Sequence, residues 1–325
     1  MGALFSSFVQ VAWQTLIQKE NTEYQCQQML SPNVTVAGVC AENQTQDISF
    51  NPTPFRSLLI GINYAEEPNS ALKGCANDIM DVWKHLHETE GRHETVMLCD
   101  AAPDGGWPTG LPSIQKPTRA SILRELELIA AWTHSVAGAR CWIHYSGHGS
   151  QCKDEDGDES DQLDECLVPC DYTTAGIISD DELLRVFGNN ALASDSSVVF
   201  VVDACHSGSM LDLPYINDGT IDNIARIHTH TNTRNCGPLI ISISGCRDDQ
   251  TSADAKFGQR WQGALTKTLL FELRTGERRA VVLAQKLRKK LRDSSFLQRP
   301  QLASSEVLCK QSTLFRPLRM QFLKE

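Results

Sequence analysis

Between residues 56 and 318, short apolar runs alternate with longer stretches in which apolar positions recur every three or four residues. The runs at 56–61, 94–98, 140–143 (ending at Tyr145), 197–202 and 239–244 have the length and composition of buried strands. Helical spacing links them: 77–87 through Ile79, Val82, Trp83 and Leu86, and 118–137 through Ile122, Leu126, Ile129 and Ala130. Further helices are predicted over 180–188 with Ser179 as cap, 263–274 and 280–292, and the tail 313–318 predicts an edge strand. Such alternation predicts an α/β fold: a mostly parallel sheet of six or more strands, with helices on both faces. Residues 100–116, rich in Gly and Pro, read as a surface loop, and 214–238 is the one long connection without predicted structure. Residues 1–54 form an arm, polar past residue 18 and closing on Asn51-Pro52-Thr53-Pro54, ahead of a single domain over 55–325.

Two of the strands end in chemistry. His144-Tyr145-Ser146-Gly147-His148-Gly149-Ser150 follows the run at 140–143, and Asp203-Ala204-Cys205-His206-Ser207-Gly208 follows that at 197–202. Open parallel sheets gather their sites at the carboxyl ends of strands. A thiol set there beside an imidazole that takes its proton is a nucleophile for acyl transfer. Gly147 and Gly149 free the backbone around His148 for close approach. A helix beginning at 206–208 would lower the Cys205 thiol pKa and offer N–H groups to an oxyanion. His206 is the competing base, but neighbouring side chains in a chain point apart. No Gly-x-Ser-x-Gly elbow and no Cys-x-x-Cys pair supports a hydrolase-elbow or redox-thiol alternative.

Charge and cysteine content narrow the class. Thirty basic against forty acidic residues give a net charge of −10, which argues against nucleic acid as a partner and suits a cationic substrate or divalent ion. The twelve cysteines are scattered, and the close pair Cys166 and Cys170 lacks a His at zinc-finger spacing. They read as small core residues of a reducing, cytoplasmic compartment. Met1-Gly2-Ala3-Leu4-Phe5-Ser6 fits N-myristoylation at Gly2. Phe5, Phe8, Val9, Val11, Trp13, Leu16 and Ile17 add apolar groups for a membrane surface, although one acyl chain anchors only marginally. An N-terminal helix packed on the domain accounts for the same residues.

Residues 56–78 (RSLLIGINYAEEPNSALKGCAND), HYSGHGSQ at 144–151, DACHSGS at 203–209 and ISGCRDDQTSAD at 243–254 together resemble the type I metacaspases, members of the caspase-like cysteine peptidase clan. The likeness spans about 56–318. The short 214–238 connection separates the chain from long-linker type II forms, and the Met-Gly start without a long Pro/Gln-rich prodomain is similar to kinetoplastid members. The resemblance implies a caspase-like fold, a monomer, His148 as general base and Cys205 as nucleophile, with the N–H groups of Gly149 and Cys205 holding the oxyanion. It also implies peripheral attachment at the inner face of the plasma or flagellar membrane through Gly2.

By the same resemblance Cys75, Asp78, Ser146 and Asp203 line the primary substrate pocket. Two carboxylates there favour a cationic guest by about 2–5 kcal/mol over a neutral one, so cleavage after Arg or Lys, not Asp, is expected in peptide or protein substrates. An N-cap role for Asp78 ahead of Ile79 is the competing reading. The acidic run 154–161 places Gly at loop position 4 rather than 6, which excludes an EF-hand. The resemblance points instead to a calcium site from Asp164, Asp180, Asp181 and Asp212, and to self-cleavage at Lys256, with Arg234 and Arg260 as rivals. A membrane-attached pseudo-peptidase, acting as adaptor for another metacaspase, is the alternative to an active enzyme.

Overall fold

The computed structural model describes residues 54–154, 162–188, 195–208, 210–217, 226–227, 238–247 and 250–317. Gly2, Arg234, most of the 1–54 arm and nearly all of the acidic run lie outside them.

Six strands run parallel: β1 (Phe55–Gly61), β2 (Glu94–Cys99), β3 (Ile114–Gln115), β4 (Arg140–Ser146), β8 (Ser197–Asp203) and β11 (Leu239–Ser244). Antiparallel β14 (Gln301–Ser304) then joins β9 (Tyr215–Asn217) and β10 (Arg226–Ile227) to one edge, giving the order β10-β9-β14-β11-β8-β4-β1-β2-β3 in a nine-stranded sheet. Two smaller sheets sit apart: β5 (Gly149–Lys153), β6 (Leu163–Leu167) and β7 (Ile178–Ser179), and the hairpin of β12 (Asp254–Phe257) and β13 (Arg260–Gly263).

Side chains alternate across the central strands with the period of two that a sheet buried on both faces requires. Leu58, Ile60, Ile143, Tyr145, Phe200 and Val202 enter one core layer beneath α2 (Arg119–Ser135) and α4 (Asp180–Gly188). Leu59, Trp142, Val199 and Val201 enter the other, beneath α1 (Cys75–Glu90), α5 (Ala264–Arg274) and α6 (Ala280–Asp293). Helices therefore cover both faces, as the periodicity predicts. Caps fix two starts: Thr118 Oγ1 accepts the Ser121 N–H ahead of α2, and Ser179 Oγ accepts the Glu182 N–H ahead of α4. A single turn, α3 (Tyr172–Ala175), precedes β7.

The structure corrects three expectations. The tail does not form an edge strand: Thr313 makes one bridge to Arg279, and β14 takes the place beside β11. The 214–238 connection is not wholly irregular, since it supplies β9 and β10. No helix follows Cys205 in residues 206–208; the chain turns there, with His206 at φ 47°. Ser and Gly after a strand suit a tight turn as well as a helix start, and the positive φ at His206 breaks the helical path.

Candidate active site

Strands β4 and β8 pair in parallel with Ser146 opposite Asp203, so the segments that follow them leave the sheet side by side. The site lies where strand order reverses, with β1 and β2 to one side of the crevice and β4 and β8 to the other, the place open α/β sheets use for ligands. Gly149 brings the two segments into contact. A Cβ built on it would stand 1.8 Å from the Cys205 carbonyl oxygen and 3.0 Å from the Cys205 carbonyl carbon. The expected oxyanion pair, Gly149 and Cys205, is thus in backbone contact.

The loop after β1 completes the surroundings of His148. Its Nε2 lies 2.6 Å from the Ser70 carbonyl oxygen. A carbonyl only accepts, so Nε2 carries the proton and Nδ1 is left as the basic nitrogen. Two tyrosines fix the main chain of the same residue: the His148 N–H donates to Tyr64 Oη at 2.9 Å, and Tyr145 Oη donates to the His148 carbonyl at 2.7 Å. The Tyr64 ring also packs on the imidazole, with centroids 4.5 Å apart. Burial holds both phenols well above their ordinary range, so they act as neutral hydrogen-bonding groups.

Cys205 is half-buried, and its Sγ lies 3.8 Å from the Ser252 carbonyl oxygen. Burial pushes the thiol up, partly offset by the Ser252 contact, and the nearby Asp203 charge raises it further. This reverses the sequence expectation of a thiol lowered by a helix N-terminus. Cys205 therefore rests as a neutral thiol. No hydrogen bond joins its side chain to His148, and catalytic contacts of this kind commonly tighten only around substrate.

Asp78 and Asp203 converge on Gly263: a Cβ there would lie 2.1 Å from Asp203 Oδ2 and 2.8 Å from Asp78 Oδ2. Asp78 sits within α1, and its carboxylate accepts the Ser146 hydroxyl at 2.7 Å and the Gly263 N–H at 3.0 Å. It makes no side-chain cap, which removes the N-cap alternative. Asp203 accepts from Ser252 Oγ at 2.6 Å and from Thr266 N and Oγ1 at 2.8 and 2.7 Å. Behind Thr266 stands His144, whose Nε2 lies 3.1 Å from Thr266 Oγ1 and whose pKa burial lowers to about 3. As the Thr266 proton goes to Asp203, His144 is the donor in that pair. Burial pushes the Asp78 carboxyl up, and the Asp203 charge adds to it; burial likewise raises Asp203. Cys75 is buried at the start of α1, its thiol raised by burial and then by Asp78. Among the described residues no ion pair reaches Asp78, Asp203 or Asp254.

The four calcium candidates are placed less completely. Asp164 on β6 and Asp180 at the start of α4 are both buried, and Asp180 accepts the N–H groups of Glu165 and Asp181, each at 2.9 Å. Asp212 is buried at φ 42°. Carboxylate oxygens are the right donors for calcium. Among the described residues, however, no three His, Cys, Asp or Glu side chains form a metal-holding group. The donor chemistry of the four aspartates fits the ion.

Lys256 is exposed on β12, its backbone paired with Trp261, and not in an open loop as expected. The rival Arg260 is held by both carboxylate oxygens of Asp81 at 2.9 Å. Sequence reasoning missed Ser70, Tyr64, Tyr145, Ser252, Thr266 and His144. Tyr64, Tyr145 and His144 lie inside quoted motifs but carry no role in a bare pattern, and the carbonyls of Ser70 and Ser252 have no residue signature at all.

Residues 56–214 match the model of the metacaspase, peptidase C14 domain family. The chain is 32% identical over 298 residues to metacaspase-1A of Aspergillus oryzae, covering 78% of this chain and 68% of that one. It is 33% identical over 300 residues to metacaspase-1 of Cryptococcus neoformans var. neoformans, covering 77% and 62%. A Geobacter sulfurreducens protein of known crystal structure shares the fold, with a TM-score of 0.55 at 21% identity over 82% of this chain and 100% of that one.

Proposed function

Since this chain belongs to the metacaspase family of caspase-like cysteine peptidases, we propose that it hydrolyses peptide bonds after Arg or Lys through a Cys205–His148 dyad. The observation that carries this reading is the convergence of Asp78 and Asp203 on Gly263, where neither forms an ion pair among the described residues. In the proposed reaction His148 Nδ1 takes the Cys205 proton and the thiolate attacks the substrate carbonyl. The imidazolium then protonates the leaving amine, and water, deprotonated by the same nitrogen, releases the acyl group. The N–H groups of Gly149 and Cys205 are the proposed donors to the oxyanion. The Ser70 carbonyl keeps Nε2 protonated throughout, so that Nδ1 alone exchanges the proton.

Calcium is proposed as an activator held by Asp164, Asp180, Asp181 and Asp212, which it would draw together by neutralising their repulsion. Fluorogenic peptides ending in Arg, Lys or Asp, assayed with and without millimolar calcium, test both parts. Release from the Arg and Lys peptides alone, rising with calcium, is expected. Preference for Asp, or indifference to calcium, contradicts the corresponding part. Membrane attachment through Gly2 is proposed on the N-terminal pattern. Gly2→Ala is expected to move the protein to the soluble fraction of cells, and retention on membranes would count against acylation.

A further inference from the structure

The hairpin β12–β13 does more than supply Gly263 to the pocket. Its first residue, Asp254, reaches across to the loop that follows β1, where its Oδ2 accepts the Lys73 N–H at 2.7 Å. Three residues earlier in that loop is Ser70, whose carbonyl holds His148 Nε2 at 2.6 Å. The loop is also tied ahead of Ser70, where Asp100 accepts the Asn63 and Ala65 N–H groups at 2.7 and 3.2 Å and Glu66 and Glu67 meet Lys116 and Tyr172. Asn63 bonds its two ends, through Leu72 and Ala76, and Leu72 N donates to the Asn63 carbonyl at 2.9 Å. The Ser70 N–H goes to the Glu67 carbonyl within the loop itself.

Asp254 is placed firmly enough to act as an anchor. It pairs with Gly263 across the hairpin, its neighbour Ala253 donates to Gln298 Oε1 at 2.9 Å, and the Ala253 carbonyl accepts the Ala264 N–H at 2.9 Å. A Cβ on Gly74 would come within 2.5 Å of Asp254 Oδ1, so the loop backbone lies directly against the carboxylate. That Oδ1 is buried without a hydrogen-bond partner. A second tie joins the same two elements, as the Lys73 ammonium stands over the Trp261 ring at 4.8 Å. Burial raises the Asp254 carboxyl, while the Lys73 N–H, the Gly74 N–H (close by but outside hydrogen-bond geometry) and the Lys73 and His148 charges pull it back.

We propose that Asp254 is a positioning residue for the dyad: by clamping the main chain at Lys73 it holds the Ser70 carbonyl against His148 Nε2 and so keeps Nδ1 as the base of the dyad. The role rests on the proposed peptidase reading for its kinetic consequence, but the geometry it fixes is measurable without turnover. Small misplacements of a catalytic group cost large factors in rate, up to about a hundredfold per ångström. Loss of the clamp therefore acts on kcat, whereas a carboxylate that binds the substrate cation acts on KM.

The test uses the full chain labelled with 15N-histidine, with NMR correlations reporting the His148 tautomer, beside kcat and KM on an Arg-ended peptide. In Asp254→Ala, kcat is expected to fall at least tenfold with KM within threefold, and the single Nε2–H signal to be lost. Asp254→Asn, whose carbonyl can retake the Lys73 N–H, is expected to return kcat to within threefold of the parent and restore the signal. If Asp254→Ala fails to fold, Asp254→Ser, too short to reach Lys73, takes its place with the same expectation. A rise in KM at unchanged kcat overturns the proposal in favour of direct substrate contact. An Asp254→Asn variant as damaged as Asp254→Ala with its tautomer intact overturns it in favour of a charge effect. Should the parent prove inactive on Arg peptides, the peptidase reading fails separately. The tautomer then decides alone: its loss in Asp254→Ala supports the clamp and its survival refutes it.

Discussion

Gly149→Ala is expected to lower kcat/KM at least a hundredfold while the protein still folds. The added methyl would stand 1.8 Å from the carbonyl oxygen of Cys205, a backbone atom that no rotamer change can move aside. Relieving the overlap means parting the β4–β5 turn from the nucleophile turn by more than an ångström. That distance separates the proposed oxyanion donors and moves Cys205 away from His148, where an ångström costs about a hundredfold. Overpacking of this kind costs about 1–3 kcal/mol of stability, too little to unfold a domain with two buried core layers. Steady-state kinetics beside thermal melting check the prediction. Activity within threefold of the parent would mean that the two turns do not act together.

Asp78→Asn and Asp203→Asn are each expected to lower kcat/KM for an Arg-ended peptide by about thirtyfold or more, from a loss of about 2–5 kcal/mol at a desolvated ion pair. Neither variant gains activity on an Asp-ended peptide, since no arginine replaces the lost acid. The same substitutions carry a pH signature. Burial raises both carboxyl pKa values in the folded state, with the Asp203 charge adding to the shift at Asp78. A folded state that binds protons more tightly than the unfolded one loses stability as the pH rises through the unfolded value toward the folded value. Removing the charge removes that loss. The difference in melting temperature, variant minus parent, is therefore most positive at about pH 8 and shrinks toward about pH 5. A difference independent of pH would place these carboxylates outside the set that titrates with folding.

The parts of this molecule that follow a strong period were legible before the structure. Val198 to Val202 form one unbroken apolar run, buried on both faces, and the helix over 118–137 repeats its apolar positions through Ile129. Elements of two to five residues were not legible: β5 is half-buried and polar, and β6, β7, β12 and β13 carry no repeat long enough to read. Their order is set by tertiary pairing, as when Gly149 meets Leu167 across β5 and β6. The apolar composition of 313–318 suggests a strand, whereas the place beside β11 is taken by Gln301–Ser304, whose polar residues are buried by neighbours, and β9 and β10 extend the sheet beyond it.

The candidate site divides in the same way. His148 and Cys205 stand out because each ends a strong strand, and Asp78 and Asp203 stand out by resemblance. The thiol environment was misread, since a helix N-terminus was expected where the chain turns at His206. Groups acting through main-chain atoms, the carbonyls of Ser70 and Ser252, were invisible, because every residue type offers the same carbonyl.

The central claim is that Cys205 is a nucleophile served by an acidic pocket. Its most direct measurement is intact-mass and peptide-mapping spectrometry after exposure to an affinity label ending in Arg, with an otherwise identical Asp-ended label as control. A single adduct on Cys205 from the Arg label, absent in Cys205→Ala and much slower in Asp203→Asn, is the predicted result. It would appear even if turnover were slow. Equal labelling by the Asp reagent, or modification spread over other cysteines with Cys205 untouched, would contradict the account and favour a pseudo-peptidase that serves as an adaptor.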